Sequence, residues 1–253
     1  MKIAMIGAGA MGGALADGFL AGGVVPPCNL LVSDPSEAVR NRFSGKGAVV
    51  LPSEEAAADA DIVFVVVKPY LTAGVLTSIR PVLTPAKTVV VVAAGVSSKT
   101  VRETLGEDIP FALAIPNIAA ACRESVTFLV PFMEDCTALK AVFDAVGATF
   151  VVPENLLPAG TTLASCGIAY AMRYIRAASE GGVEIGFRAN EAKDIVLQTL
   201  KGAVALLQEE GIHPEEAIDR VTTPGGVTIK GLNAMEDAGF TASVIRGIKA
   251  GMK

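Results

Sequence analysis

Lys2-Ile3-Ala4-Met5-Ile6-Gly7-Ala8-Gly9-Ala10-Met11-Gly12-Gly13-Ala14-Leu15-Ala16-Asp17 opens the chain and decides its architecture. An apolar stretch of strand character runs into a G-x-G-x-x-G sequence, which runs into a helix-forming stretch. That order is what gives the glycines a meaning. Gly7 permits the tight turn out of the strand, Gly9 lets backbone approach a pyrophosphate, and Gly12 lets helix and strand pack closely. The phosphates would rest on unpaired N–H groups at the helix N-terminus. The spacing predicts a strand, a dinucleotide cradle made by Gly7, Ala8, Gly9, Ala10, Met11 and Gly12, and a helix.

Working outward, Asn29-Leu30-Leu31-Val32-Ser33-Asp34 is a short apolar run that ends on an acid about 20 residues past the glycines, where the adenosine ribose is expected to bind. Ser33 and Asp34 are therefore candidate cofactor residues. Asp34-Pro35-Ser36-Glu37 also reads as a helix start, with Asp34 or Ser36 capping, and the two roles are compatible. A carboxylate here repels a 2′-phosphate and favours NADH, although Ser33 or Arg40 remains within reach of a phosphate. Ile62-Val63-Phe64-Val65-Val66-Val67 and Thr88-Val89-Val90-Val91-Val92-Ala93 lack polar alternation. Strands covered on both faces look like this, which implies a parallel sheet with helices on each side. Val67-Lys68-Pro69, Ala94-Gly95 and Ile115-Pro116-Asn117 then fall at carboxyl ends of strands, where such sheets collect ligands. Lys68 reads equally well as a solvated loop charge, and Ala94-Gly95 as a plain turn.

The segments 127–130 and 148–152 flank a helical stretch from about Cys136 to Val146 and read as later strands of the same sheet. Pro153 and Pro158 punctuate the chain, and no strand-like run follows. The expected organisation is a dinucleotide-binding domain over residues 1–153 and an all-helical domain over residues 154–253. In the second, Ala159–Gly182 and Arg188–Gly211 are long amphipathic stretches with Ala-rich faces, which predict a dimer built through helices.

Composition sets the outer bounds. The chain has 253 residues, 51% of them hydrophobic, and a net charge of −5. Disorder is excluded, and there is no basic field for nucleic acid. The longest apolar run, Val89 to Val96, falls far short of the roughly 20 residues that span a bilayer. No clean secretory leader is present, so the cytoplasm is the expected location. Cys28, Cys122, Cys136 and Cys166 form no C-x-x-C pair and His213 is the single histidine, so no metal site is expected. His213 lies between a helix-stop glycine and a helix-start proline and reads as a turn or cap. The expected partner is a small molecule.

A second concentration of chemistry is Thr222-Thr223-Pro224-Gly225-Gly226-Val227-Thr228. Thr223 is placed to cap a helix with Pro224 at its first position, and the two glycines present backbone N–H groups suited to a carboxylate. Thr228 adds a hydroxyl able to donate or accept. The same residues also serve as ordinary capping chemistry.

Gly7-Ala8-Gly9-Ala10-Met11-Gly12, Val67-Lys68-Pro69, Ala93-Ala94-Gly95-Val96, Ile115-Pro116-Asn117, Cys166-Gly167-Ile168-Ala169-Tyr170 and Thr223-Pro224-Gly225-Gly226-Val227-Thr228 resemble, in order and spacing, the pyrroline-5-carboxylate reductase family. The likeness covers essentially the entire chain. It implies a Rossmann-like doubly wound, mainly parallel sheet followed by a helical dimerisation domain. It also implies NADPH- or NADH-dependent reduction of the cyclic imine 1-pyrroline-5-carboxylate to L-proline, the last step of proline biosynthesis, in a homodimer or ring of dimers. By position, Thr223, Gly225, Gly226, Val227 and Thr228 would hold substrate, with Thr228 on the ring nitrogen as the catalytic residue. Such a site would form where the C-terminal helices of a subunit face the nucleotide domain, with contributions from the partner. Ile115 stands where the family has Met, Cys166 and Ile168 where it has Ser and Pro, and Arg176 where an acid is common. Those departures keep two alternatives in view: a reductase of a related cyclic imine acid, and a non-catalytic nucleotide-binding homologue.

Overall fold

Ile3–Ile6 forms β1, four apolar residues all buried, because it lies between two other strands and beneath helices on both faces. Its neighbours are β2 (Leu30–Ser33) and β4 (Ile62–Val65), each parallel and in register from Ile3↔Leu30 and Ile3↔Ile62. In the computed structural model, which describes Met1–Met252, β3 (Val49–Val50) continues the sheet beyond β2. On the other side follow β5 (Thr88–Val91), β6 (Phe111–Ile115), β7 (Ser125–Phe132) and β8 (Gly147–Val151), giving the order β3-β2-β1-β4-β5-β6-β7-β8. β7 pairs antiparallel with β6, and β8 pairs parallel with β7, so the last two strands reverse the direction of the first six. The strand order turns back between β1 and β4, the position at which doubly wound sheets open a crevice.

Helices cover both faces: α1 (Ala10–Ala21), α2 (Glu37–Ser44), α3 (Ser53–Asp59), α4 (Pro69–Ile79), α5 (Ser98–Leu105) and α6 (Thr137–Asp144). The period of two in the strands divides the apolar side chains between them. Ile3, Met5, Ile62 and Phe64 point into one core with Leu15, Phe19 and Phe143, while Ala4, Ile6, Val63 and Val65 point into the other with Leu76, Ile79, Val101 and Leu105. Phe64 sits 5.2 Å from the Phe19 ring and 5.7 Å from the Phe143 ring. Burying a side chain of this size contributes about 1.5–3 kcal/mol.

The chain divides into two compact units, Met1–Ser165 and the stretch from Cys166 onward. The division expected after residue 153 lies ahead of this one, because two side chains tie the following segment to the sheet. Leu157 of α7 (Leu157–Gly160) is buried in a core of the first unit. Glu154 accepts hydrogen bonds from the Ser98 N–H at 2.8 Å and the Ser98 hydroxyl at 2.5 Å, at the start of α5. Thr161–Cys166 is then wound as a π-helix that leads into α8, in place of the uniform α-helix that the amphipathic pattern predicts.

The second unit is α8 (Gly167–Glu184), α9 (Ala189–Glu210), α10 (Pro214–Arg220), α11 (Val227–Asp237) and α12 (Phe240–Ala250). α8 and α9 lie side by side as the two long helices expected. His213 is the N-cap of α10, its Nδ1 accepting the Glu215 N–H at 3.2 Å, with Pro214 in the first turn. Ala192 is its one fully buried residue among those described.

Candidate functional site

Gly7 ends β1 at φ +88°, where a side chain would be strained, and a Cβ there would stand 2.3 Å from the Val66 carbonyl oxygen. A Cβ on Gly12 would stand 1.9 Å from the Gly7 carbonyl oxygen. At both positions only glycine fits, so the loop closes tightly on itself and on Val66, just past the end of β4. At Gly9 the opposite is true: nothing lies within 4 Å of a Cβ position, so the backbone faces open space. Gly9 is the N-cap of α1, with no side-chain cap and no acid in the first turn. The first-turn N–H groups of Ala10, Met11 and Gly12 have no intrahelical acceptor, and the helix presents a positive end that no nearby carboxylate of its own cancels. This is a cradle for a pyrophosphate, and a side chain at Gly9 would fill it.

One cleft of about 520 Å³ brings together Gly7, Ser33, Asp34 and Val67, all expected from sequence, with Ile6, Pro35, Ser53, Leu71, Gly74 and Val75. Leu71, Gly74 and Val75 share one face of α4, at spacings of three and four, a pattern visible downstream of Lys68-Pro69 once that helix is assigned. Ser53, at the start of α3, had only the Pro52-Ser53 helix start to mark it. Asp34 joins two segments: Oδ2 accepts the Ala8 N–H at 2.8 Å and Oδ1 accepts the Ser36 N–H at 2.9 Å. Ser36, not Asp34, is the N-cap of α2, and its side chain makes no capping bond. Ser33 Oγ lies 3.0 Å from Ser53 Oγ.

Lys68 is exposed as the N-cap of α4, with Pro69 in its first turn. Ala94-Gly95 forms the turn after β5, Gly95 at φ +81°. Asn117 is 6% exposed and holds its own surroundings: Oδ1 accepts the Ala119 N–H at 3.1 Å, and Nδ2 donates to the Ala164 carbonyl at 3.4 Å, within the π-helical segment. Its backbone N–H donates to Ser125 Oγ at 3.2 Å. These bonds turn the chain from β6 into β7.

The loop of the second unit is built differently from its expected form. Pro224 does not open the helix, and Thr223 does not cap it. The Gly226 N–H donates to the Thr223 carbonyl at 2.9 Å, closing a turn with Pro224 and Gly225 at its centre and Gly225 at φ +72°. Proline followed by a positive-φ glycine is the chemistry of a type II turn. The helix therefore starts at Val227, with Gly226 as N-cap, no side-chain cap and no acid in the first turn. Val227 is 86% exposed and Thr228 half-buried. The arrangement leaves first-turn N–H groups and the Thr228 hydroxyl at one helix end, able to grip a carboxylate and a neighbouring polar atom. Arg176, in α8, pairs with Glu180 at 2.8 Å. Among the described residues no group of His, Cys, Asp and Glu is placed to hold a metal ion, and no helix is long and apolar enough to cross a membrane.

Comparison with known proteins accounts for both units. Residues 154–253 match the family described as pyrroline-5-carboxylate reductase dimerisation. Residues 2–95 match the family described as NADP oxidoreductase coenzyme F420-dependent. The chain is 34% identical to pyrroline-5-carboxylate reductase of Methanosarcina acetivorans, over 98% of this chain and 94% of that protein. It is 35% identical to pyrroline-5-carboxylate reductase 1 of Dictyostelium discoideum over 97% of its own length, and spans 48% of that longer protein. Its fold is similar to the crystal structure of Plasmodium falciparum pyrroline carboxylate reductase with NADP bound, with a TM-score of 0.90 at 25% identity, covering all of this chain and 95% of that one.

Proposed function

The chain belongs to the pyrroline-5-carboxylate reductase family, and on that premise we propose that it reduces 1-pyrroline-5-carboxylate to L-proline at the expense of NAD(P)H. The observation that carries the proposal is the Thr223–Gly226 turn, which delivers an uncapped helix end and the Thr228 hydroxyl together. The cradle from Gly7 to Gly12 fits the cofactor pyrophosphate, and the cleft lined by Ser33 and Asp34 fits its ribose. Val67, Lys68, Pro69, Ala94, Gly95 and Asn117 stand at or just beyond strand ends and complete the cofactor groove in this reading. When bound, the reduced cofactor supplies the hydride.

The remaining work asked of the protein is modest. A protonated cyclic imine is already electrophilic at carbon, so the chain has mainly to orient it and exclude water. First-turn N–H groups of α11, with Gly225, Gly226 and Val227, hold the substrate carboxylate. Thr228 hydrogen-bonds the ring nitrogen and keeps it oriented while that nitrogen changes from imine to amine. Thr223 shapes the turn through its carbonyl. No histidine base is needed, in agreement with His213 being committed to its cap. The working form in this proposal is a homodimer or ring of dimers in the cytoplasm, with the α8 and α9 faces covered by another copy.

The test is cofactor oxidation followed across a panel of cyclic imine acids, 1-pyrroline-5-carboxylate first. Activity highest on that substrate is expected; nucleotide binding with no oxidation by any imine acid would sink the reductase reading. Thr228→Ala is expected to lower kcat/KM about ten-fold, the worth of one positioned hydrogen bond, with nucleotide affinity unchanged. An unaltered kcat/KM removes Thr228 from the mechanism.

A further inference from the structure

We infer that this chain selects NADH over NADPH, with Asp34 as the residue that sets the selection; the inference rests on the dinucleotide reading of the first unit. Asp34 is not a loose surface acid. Its two carboxylate oxygens are fixed by N–H groups from different segments, Ala8 of the cradle at 2.8 Å and Ser36 of the following turn at 2.9 Å. It lines the cleft with Ser33, Pro35 and Ser53. Each oxygen keeps a lone pair, and a carboxylate only accepts. Ribose hydroxyls are donors that match it, whereas a 2′-phosphate brings acceptor oxygens and a charge near −2.

The cations that would offset this repulsion are already committed. Arg40 Nη1 donates to the carbonyl oxygens of Asp34 at 2.8 Å and Pro35 at 2.7 Å, bracing the turn that positions the acid. Arg42 pairs with Asp17 of α1, and Lys46 reaches the same carboxylate at 2.7 Å. Asp17 thus engages both remaining cations of the α2 region from α1. Ser33, the other candidate phosphate contact, is bonded to Ser53. The positive end of α2 is met by Glu37 in its own first turn. Lys68 follows β4, on the far side of β1 from β2, towards the other half of the groove. The β2 side of the cleft therefore sets a fixed carboxylate in the path of a 2′-phosphate, and the nearest cation, Arg40, would have to give up its bonds to the turn carbonyls to turn its Nη1 towards that phosphate.

Isothermal titration of the full chain with NADH and with NADPH, without substrate, measures the selection directly. NADH is expected to bind about ten-fold or more tightly, as expected for charge repulsion at a part-exposed site. The gap should narrow as ionic strength rises from about 0.05 to about 0.5 M, since repulsion is screened while loss of shape fit would not be. Asp34→Asn should bring the two affinities together, NADPH gaining. Equal or tighter NADPH binding by the unaltered chain overturns the inference, as does an Asp34→Asn ratio like that of the parent. Should Asp34→Asn fold poorly, the parent ratio and its salt dependence decide alone. Binding of neither nucleotide would instead overturn the dinucleotide reading itself.

Discussion

The two units of this chain finish their cores in opposite ways. In the first, Phe19, Phe43, Phe64, Phe111 and Phe143 are all fully buried, and the strands of both faces share two apolar clusters. In the second, Ala192 alone is buried among the described residues, while Met172 is 52% exposed, Val183 45%, Leu206 52% and Ile245 52%. Apolar surface on that scale is not left to water in a stable protein. A groove of about 390 Å³ between α8 and α9 is lined by Met172, Ile175, Val183 and Ala189 together with Arg176, Ser179, Glu180 and Lys193. The first unit buries its core within its own residues, and the second leaves apolar helix faces that agree with its match to a dimerisation family.

The contrast makes predictions that differ in kind as well as in size. Phe64→Ala removes a ring packed between two others, and should cost about 3–5 kcal/mol of stability in chemical denaturation. A loss below 1 kcal/mol would mean that the first core is not closed as described. Met172→Asp with Val183→Asp should behave differently, shifting the assembly to smaller species by light scattering while leaving nucleotide binding intact. Unchanged particle size would show that this helix face is not the covered one. Gly9→Val enters open space but replaces a favourable N-cap, so stability should fall by about 1 kcal/mol, while nucleotide affinity falls about ten-fold or more because the branched side chain fills the cradle. An unaffected affinity would displace the phosphate from α1.

The smallest effect expected lies at Asp135, at the entrance to α6. Its carboxyl is held below the ordinary aspartate range, first by a hydrogen bond from the Thr137 side chain and then by one from the Thr137 backbone. A depressed value in the folded state means that this contribution is present above the unfolded value and lost as pH falls through the folded one. Asp135→Asn should flatten the acid limb of thermal stability slightly, and a limb of unaltered slope would remove the effect.

Much of the first unit was legible in the sequence because its signals are local. The unbroken apolar runs at Ile62 and Thr88 follow from burial on both faces, and the glycine sequence from backbone approach, so strand, cradle and crevice could be assigned without partners. What escaped depends on distant residues. The reversal at β7 rests on Asn117 and Ser125 bonding to each other, and nothing in Ile115-Pro116-Asn117 alone specifies it. Leu157 and Glu154 belong to the first unit through contacts made far back in the chain. Thr223-Pro224-Gly225-Gly226 satisfies the rules for a helix start and for a type II turn alike, and the positive φ of Gly225 decides between them. The spacing from the glycines places Asp34 at the end of β2, where it lines the cleft, but its hold on Ala8 and the partners of Arg40, Arg42 and Lys46 are tertiary facts.

The central place of β1 has a consequence for how the protein is made. The strand that leads into the cradle leaves the ribosome before either of its neighbours, its second neighbour, β4, beginning only at Ile62, and Lys2 is tied to Asp59 and Asp61 just ahead of it. At about 5–20 residues per second, β1 waits several seconds as an apolar edge before that partner exists. Val66, whose carbonyl fits against Gly7, arrives later still. The nucleotide cradle is therefore encoded ahead of the strand it packs against and assembled late, and a nascent chain shortened ahead of β4 should carry the glycine sequence without the ability to hold a nucleotide.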